Sequence, residues 1–348
     1  MRLHAMGEYG ESNLNDVAYI RLLNPLSFLA RKDNYELTYD DDYQEYMDSD
    51  IFFVQRTWKK NITLEYIEKF IFDIKKMNAK FIYEIDDNLL DLDCISLESK
   101  MAIRLMAKNA DIIIVSTEQL KQRMAIFNKS IAIIPNFLSL NNIGSKSDYC
   151  KETNNRIKIG YFGTFSHQQD FQMILLPLMK ILAKYKDCVD FEIVGALSDQ
   201  SILSQLPNTR IIPLGNNSRY DMFWKWIKRN VNWDIGLAPL KESKFTICKS
   251  DIKFLDYAAM GIPGIYSRHP AYCDTIKNGI NGIIVENDVE KWEKAIENMI
   301  LNKRLREKIV LGASNELYDN RILDYNYHLW EDLIINVKDG NRDSFTYK

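Results

Sequence analysis

Apolar runs of six to nine residues alternate with helical patterns along the first part of the chain. The helical patterns lie near 62–77, 97–109 and 117–127. The runs carry apolar residues on both faces, which is typical of strands in a parallel sheet that helices cover. The strands predicted in this way are 50–56, 79–87, 111–117 and 131–136.

A second array of the same kind follows a polar stretch without periodicity at 140–156, which is interpreted as linker sequence. Its predicted strands are 157–163, 190–196, 209–215, 233–240, 261–267 and 282–287. Its predicted helices lie near 169–185, 219–230, 250–260, 289–301 and 303–317, and a final amphipathic segment covers 321–337. Two such arrays predict an α/β protein with two doubly wound, Rossmann-like domains, and a central cleft that both domains face is the expected ligand site.

The predicted domain boundaries follow the two arrays. The first Rossmann-like domain is expected at 1–145, the linker at 146–156 and the second domain at 157–320. The last helix, within 321–348, is expected either to stay with the second domain or to cross back to the first. Two domains agree with the length of 348 residues.

The composition is typical of a folded protein and argues against a nucleic-acid surface. Residues 1–150 hold 18 Lys and Arg against 23 Asp and Glu, a net charge of −5, and the remaining 27 and 25 residues give +2. No apolar run reaches the roughly 18 residues that span a bilayer, and the first residues lack an apolar signal core. The five cysteines form no CxxC pair and the four histidines are far apart, so we expect a cytoplasmic protein with reduced thiols and no metal site.

One predicted helix, 250–260, combines charged residues with an end at a glycine. With Ser250 near its N-cap, Lys249, Lys253 and Asp256 fall within about 60° of one another. A helix N-terminus beside two lysines suits a diphosphate, and a carboxylate further along suits ribose hydroxyls. The alternative is a solvated face with a Lys253–Asp256 pair worth about 0.2–0.5 kcal/mol.

The first predicted strand of the second domain ends in small residues, among them Gly160, Gly163 and Thr164. Glycine at such a position lets backbone N–H groups approach a phosphate. His167 follows in a predicted loop, where a lone histidine is either merely exposed or part of the site. Asp170 is expected to cap the helix that begins there.

Two adjacent carboxylates, Asp86 and Asp87, follow a buried strand of the first domain at its carboxyl end. Such acids raise each other's pKa or take cationic partners. One use is a general base for an acceptor hydroxyl, and the alternative is a cap for the next helix. Arg21 and Arg56 are the cations expected nearby, where they either pair with these acids, bind an acceptor phosphate or lie on the surface.

Two further segments bear on membrane contact. The segment 219–233 mixes aromatic and basic residues, so it either lies on a membrane surface or packs its aromatics in the core. The acidic tract at 39–50 argues against docking of the first domain on anionic lipid. Peripheral membrane contact at the inner face is therefore left open.

Several of these segments together resemble a known family. Residues 234–267 and 278–288 resemble the donor-binding half of glycosyltransferase family 4. The stretch IGYFGTFSHQQDF at 159–171 resembles the opening of the same domain in a bacterial subfamily, and IYEIDD at 82–87 resembles the acidic motif of that subfamily. The resemblance covers 157–300 most strongly.

The resemblance implies a GT-B fold and roles for individual residues. Asp256 stands where relatives hold the ribose with a carboxylate, usually Glu, and Cys248 stands where many relatives have a Glu that contacts the donor sugar. The residues implied in binding the nucleotide-sugar are Gly163, Thr164, Lys249, Ser250 and Asp256. The candidates for catalysis are Asp86, Asp87 and His167.

The implied activity is a retaining, metal-independent hexosyltransferase of the glycosyltransferase type. It would move a sugar from a nucleotide-diphospho-sugar, its donor substrate, to a hydroxyl of a glycan or lipid-linked glycan in cell-surface polysaccharide synthesis, without a cofactor. Two alternatives are a non-hydrolysing sugar-nucleotide epimerase and a GT-B binding module that has lost catalysis. The sequence names neither the nucleotide, the sugar, the acceptor nor the linkage.

Overall fold

A computed structural model describes residues 1–8, 16–32, 35–144, 146, 156–163, 168–195, 206–215 and 219–340. Thr164, His167 and all but the two end residues of the predicted linker lie outside these residues. The chain divides into two compact units. Unit 1 comprises Met1–Ser139, Ile247–Ser250 and Leu323–Lys348, and unit 2 comprises Leu140–Thr246 and Asp251–Ile322.

Unit 1 contains a six-stranded parallel sheet in the order β2-β1-β3-β4-β5-β6. Its strands are β1 (Arg2–Met6), β2 (Glu36–Tyr39), β3 (Ile51–Gln55), β4 (Lys80–Glu84), β5 (Ile112–Val115) and β6 (Ile131–Ile133). Its helices are α1 (Asp16–Ala18), which continues as a π-helical turn (Tyr19–Leu23), α2 (Asn24–Lys32), α3 (Leu64–Met77), α4 (Leu97–Asn109), α5 (Glu118–Met124) and, from the end of the chain, α13 (Leu323–Asn326) and α14 (His328–Lys338).

Both faces of this sheet are buried, as the runs of apolar residues predict. Phe52 and Val54 point to the face that α3, α4 and α5 cover. Ile51 and Phe53 alternate to the other face, where α2 and α14 pack. The first two strands were not predicted, because β1 begins one residue after the start of the chain and β2 is a half-exposed edge strand of four residues.

Unit 2 contains a second six-stranded parallel sheet, in the order β12-β11-β10-β7-β8-β9. Its strands are β7 (Ile157–Gly163), β8 (Val189–Gly195), β9 (Thr209–Ile212), β10 (Ile235–Ala238), β11 (Gly264–Ser267) and β12 (Ile283–Val285). Its helices are α6 (Leu140–Ile143), α7 (Gln168–Lys184), α8 (Tyr220–Asn230), α9 (Ile252–Ala259), α10 (Pro270–Cys273), α11 (Val289–Leu301) and α12 (Lys303–Asn320). Two parallel sheets with flanking helices confirm the predicted α/β class.

The observed boundaries differ from the predicted ones in two places. The units divide between Ser139 and Leu140, before the predicted linker, and the short segment Ile247–Ser250 is grouped with unit 1. Among the described helices, none is long and apolar enough to cross a bilayer.

Helix α9 begins two residues later than predicted, and its N-cap residue is Asp251. The Asp251 carboxylate accepts two hydrogen bonds from the Arg321 guanidinium, at 2.7 and 2.8 Å, and a third from the Thr275 hydroxyl at 2.6 Å. Burial would raise the pKa of Asp251, but Arg321 outweighs burial and holds it below its usual value. The buried, ionised pair of Asp251 and Arg321 therefore fixes the position at which α9 begins.

We predict that Arg321→Met destabilises the protein by about 3–5 kcal/mol, because it leaves a buried carboxylate without its counter-charge. Lys180→Met is the matched control, since it removes one partner of the half-exposed Lys180–Glu293 pair and should change stability far less. Urea unfolding of the three proteins measures both effects. Equal losses in the two variants would contradict the anchoring role of Arg321.

Candidate functional site

The acidic pair of unit 1 lies just beyond the carboxyl end of β4. Strands β3 and β4 pair in register, with Gln55 opposite Glu84. The residues that follow the two strands are therefore neighbours, and Arg56 after β3 meets Asp86 and Asp87 after β4. The register of two strands is not visible in a sequence. The pairing of Arg56 with the two acids is therefore only one of three alternatives that the sequence allows.

Arg56 is buried among three carboxylates. Its guanidinium donates to Asp86 at 2.8 Å, to Glu8 at 2.7 Å and to Asp87 at 3.3 Å. The side chain of Arg56 is only 9% exposed. Its backbone has a φ of +49°, the left-handed region that costs a non-glycine residue about 1–2 kcal/mol. The fold therefore maintains a strained conformation that aims this cation at the acids.

The same contacts decide the charge of Asp86. Burial would raise the pKa of Asp86, but the Arg56 guanidinium outweighs burial and holds the pKa below its usual range. A carboxylate that stays ionised so readily is a good hydrogen-bond acceptor and a poor proton acceptor at neutral pH.

The alternative role of the two acids as helix caps finds no support in the contacts. The next helix is a 3₁₀ turn at Leu89–Asp91, whose N-cap Asn88 makes no side-chain cap hydrogen bond. Asp87 accepts from the Leu89 N–H through its backbone oxygen, not through its carboxylate. The carboxylates are thus directed to Arg56.

A second buried arginine connects the end of β4 to the residues that follow β6. Arg21 donates to Glu84 at 2.7 Å, to the Ile134 carbonyl at 2.6 Å and to the Asn136 amide oxygen at 3.2 Å. Gln55 donates to the other oxygen of Glu84 at 2.8 Å. Arg21 pairs with Glu84, one of the residues that the sequence analysis did not single out, and not with Asp86 or Asp87.

The segment Ile247–Ser250 joins this network. The Asn136 amide donates to the Ser250 hydroxyl at 2.7 Å, and the Lys249 ammonium lies 3.8 Å from Asp87. The two residues assigned to the diphosphate are thus held beside the acidic pair within unit 1.

Cys248 points away from this polar surface. Its side chain is 2% exposed and belongs to the hydrophobic core under α3, α4 and α5. Its carbonyl accepts from the Thr117 hydroxyl at 2.9 Å. Burial, aided by Asp91, raises the pKa of the Cys248 thiol to about 11, so this thiol packs in the core and is not activated as a nucleophile.

In unit 2, the end of β7 is packed closely. A Cβ on Gly163 would lie 2.9 Å from the Tyr161 hydroxyl. The neighbouring Gly195 at the end of β8 has a φ of +90°, and a Cβ there would lie 2.2 Å from the Gly163 carbonyl. Glycine at 163 therefore has a steric reason apart from any phosphate.

Helix α9 packs against the same strand end. The Lys253 ammonium donates to the Phe162 carbonyl and lies 5.0 Å and 4.5 Å from the ring centroids of Tyr161 and Phe162. Lys253 thus fixes the end of β7. Asp256 is half-buried on the same helix, where its charge contributes to the raised pKa of Tyr266 behind the larger effect of burial.

Asp170 connects α7 to the loop after β10. The carboxylate is buried in the first turn of α7 and accepts from the Lys241 N–H at 2.7 Å. It therefore ties this loop to the start of α7, and its predicted role as a helix cap stays a prediction. In α8, the side chain of Trp224 is 1% exposed. This burial agrees with the alternative in which the aromatic residues of 219–233 pack in the core.

A metal centre finds no candidate in the described part of the chain. No group of three or more His, Cys, Asp or Glu residues there is arranged to hold an ion. Metal independence stays a prediction.

One family model matches a segment in the second half of the chain. Residues 156–302 match the family model described as Glycosyl transferases group 1. No curated protein matches the sequence.

Solved structures match nearly the whole chain. HepE from Anabaena, solved with UDP and glucose, has a TM-score of 0.67 at 10% identity, covering 97% of this chain and all of its own. Sucrose-phosphate synthase from Thermosynechococcus elongatus has a TM-score of 0.67 at 10% identity, over 97% of this chain and 99% of its own. A glycosyltransferase from Rickettsia africae has a TM-score of 0.65 at 15% identity, over 98% of each. These similarities confirm the predicted GT-B fold.

We predict that Arg56→Gln destabilises the protein at neutral pH and that this deficit shrinks as the pH falls. In the natural protein the lowered pKa of Asp86 gives stability that is lost as pH falls through that pKa. Without Arg56 the crowded carboxylates repel one another, and protonation relieves the repulsion. Urea unfolding across the acid range measures the difference.

Arg2→Gln is the control, because Arg2 is half-exposed and also pairs with two carboxylates, Glu36 and Asp48. It should cost little stability at any pH. A deficit of Arg56→Gln that is the same at every pH would show that Arg56 acts through packing alone.

Proposed function

We propose that the protein transfers a sugar from a nucleotide-diphospho-sugar to a hydroxyl of a glycan acceptor, because residues 156–302 match the family model described as Glycosyl transferases group 1. The family match carries this proposal. HepE supports the choice of donor, since its structures hold UDP or UDP-glucose and share the fold over 96–97% of this chain.

We assign the donor to unit 2 and to the segment that precedes α9. Asp256 is half-buried in the middle of that helix and is the proposed acceptor of the ribose hydroxyls. Lys249 and the Ser250 hydroxyl are proposed to face the diphosphate. Lys249 already neighbours the carboxylate of Asp87 at 3.8 Å, so the negative charge of a diphosphate would compete for it.

We assign the acceptor to unit 1, where Asp86 and Asp87 would orient its hydroxyl. In the proposed reaction the hydroxyl oxygen bonds to the anomeric carbon, and the bond from that carbon to the diphosphate breaks. The proton passes to the leaving phosphate oxygen, because the lowered pKa of Asp86 makes this carboxylate a weak base. Attack on the face that the diphosphate leaves gives retention of configuration.

The geometry of unit 1 weighs against the two alternatives. An epimerase needs carboxyl groups that exchange protons with a sugar, and Arg56 holds Asp86 in its ionised form. A module that only binds has no use for a strained arginine clamped between three carboxylates, whose backbone costs stability.

We predict that one nucleotide-diphospho-sugar stabilises the protein by about 2.7 kcal/mol at a hundred times its dissociation constant. Thermal shifts with UDP-, GDP- and dTDP-sugars identify that donor. Addition of an acceptor glycan should then give a product with the anomeric configuration of the donor, in EDTA as well as in magnesium. An inverted product would contradict retention, and loss of turnover in EDTA that magnesium or manganese restores would contradict metal independence. Epimerised donor without acceptor would favour the epimerase.

We predict that substitutions of the acids in unit 1 lower turnover, whereas substitutions of Asp256 in unit 2 weaken donor binding. Asp86→Asn with Asp87→Asn should lower turnover roughly 10²-fold, because the two acids orient the acceptor hydroxyl and a misplaced reacting group can cost this much. Calorimetry should find donor affinity nearly unchanged. Asp256→Ala should weaken donor binding more than Asp256→Glu does, since glutamate still offers a carboxylate to the ribose.

Circular dichroism first establishes that each variant is folded. Normal transfer by the double asparagine variant would show that the two acids only hold Arg56. Unchanged donor affinity in Asp256→Ala would remove the ribose contact while leaving the rest of the proposal in place.

A further inference from the structure

Helix α12 of unit 2 consists of a basic, an apolar and an acidic part in this order. Its first six residues, 303–308, hold four Lys and Arg against one Glu, a net charge of +3. Residues 309–313 carry no charge, and residues 314–320 hold two acids, a net charge of −2. The two ends of the helix therefore carry opposite charge around an apolar centre.

One side of α12 is exposed along the whole helix, and we call it the α12 face. At 3.6 residues per turn, its five exposed residues share an arc of about 80°, and they are Arg304, Lys308, Leu311, Asn315 and Asp319. The opposite side is buried in unit 2 through Ile309, Ala313 and Leu317. The α12 face thus displays the same order of basic, apolar and acidic groups.

Two neighbouring contacts change the charge of each part without reversing it. Lys303 pairs with Glu307 at 3.8 Å, which neutralises the one acid of the basic part. Lys146 donates to the Asn315 amide oxygen at 2.7 Å, which offsets one charge of the acidic part. Asp319 is the acidic group of the α12 face itself, and it is exposed.

The centre of the face is apolar and includes a loop. Gly312 follows Leu311, and a Cβ on Gly312 would lie 2.3 Å from the Ile280 carbonyl oxygen. A glycine inside a helix costs about 1 kcal/mol relative to alanine, and here it lets the loop lie directly on the helix. The loop presents Ile280, which is 49% exposed, beside Leu311, which is 61% exposed. Two large apolar side chains therefore adjoin at the middle of α12.

We propose that the α12 face binds the same face of a second copy of this chain, in a dimer whose two-fold axis passes Leu311. Helix α12 runs from Lys303 to Asn320, so Leu311 lies at its middle. A two-fold axis at this point sets the two helices antiparallel and places the basic part of each beside the acidic part of the other. Antiparallel helix dipoles favour the same arrangement.

This complementarity to itself is the reason to choose a second copy as the partner. A half-turn about Leu311 brings Arg304 of one copy near Asp319 of the other, and it does so twice. The leucine and Ile280 of both copies then leave water together. The proposal goes beyond the proposed function, because the α12 face contains none of the residues assigned to donor or acceptor.

The size of the face sets the strength that we expect. A helix of 18 residues is about 27 Å long and about 10 Å wide, which is at the small end of specific interfaces. The dimer should therefore be reversible, with a dissociation constant in the micromolar range.

Sedimentation velocity of the full chain, from about 1 to 100 µM, tests the proposal. The natural protein should change from monomer to dimer over this range. Leu311→Asp should raise the dissociation constant at least roughly tenfold, because two carboxylates would meet at the axis. Leu176→Asp is the matched control, since Leu176 is a 51% exposed leucine on α7, and it should not change the association.

A charge exchange tests the antiparallel pairing. Arg304→Glu and Asp319→Arg should each weaken the dimer, because like charges then meet at both ends of the interface. An equimolar mixture of these two variants should associate again, since every glutamate or aspartate then meets an arginine of the other variant. Added salt should weaken the mixed dimer.

A cysteine on the axis tests its position. Under mild oxidation Leu311→Cys should form more disulfide-linked dimer than the natural protein does, because the two Cα atoms would lie within the roughly 7 Å that a disulfide allows. Leu176→Cys should give no increase. Thermal unfolding of each variant at low concentration verifies that it is folded.

Three results would overturn the proposal. A monomer at every concentration would leave the α12 face to a different partner. A dimer that Leu311→Asp leaves intact would have its interface elsewhere. A mixture of Arg304→Glu and Asp319→Arg that stays as weak as either variant alone would exclude the antiparallel pairing.

Discussion

A buried charge needs a partner, and this constraint organises the strand ends of unit 1 and the start of one helix in unit 2. In unit 1, Arg56 and Arg21 each meet a carboxylate that follows or ends β4, at 2.8 and 2.7 Å. In unit 2, Arg321 meets Asp251 at the start of α9. Removing one partner from such a pair costs several kcal/mol, whereas exchanging both can be neutral. Each arginine therefore fixes a loop whose position the strands alone would leave open.

Arg56 shows how this pairing prepares a site. Its left-handed backbone and burial are unfavourable by themselves, and they persist because three carboxylates surround the guanidinium. The result is an ionised Asp86 with Asp87 beside it, at the carboxyl end of the strands, where ligands bind in open α/β folds. Such a pair orients a hydroxyl better than it removes a proton, and the proposed mechanism gives the proton to the leaving phosphate for this reason.

The segment Ile247–Ser250 brings donor-side residues of the sequence into the same network. Ser250 bonds to Asn136, which also accepts from Arg21, and Lys249 faces Asp87. Arg21 and Arg56 are thus connected within unit 1, through Asn136 and Asp87, to the residues proposed for the diphosphate. Cys248, turned into the core, leaves the sugar to be recognised by other groups.

The sequence by itself determined the fold class and most element positions. Helices α4 and α11 begin and end where the pattern predicts, and β7 does so as well, because apolar periodicity and chain breakers act over a few residues. The motifs also resemble the glycosyltransferases, whose group 1 family model matches residues 156–302. Only the tertiary structure decided which residues meet: Arg56 with Asp86, Arg21 with Glu84 and Asp251 with Arg321. These partners are separated by between 30 and 70 residues in the sequence, and strand register, burial and charge pairing, which bring them together, arise only when the whole sheet forms.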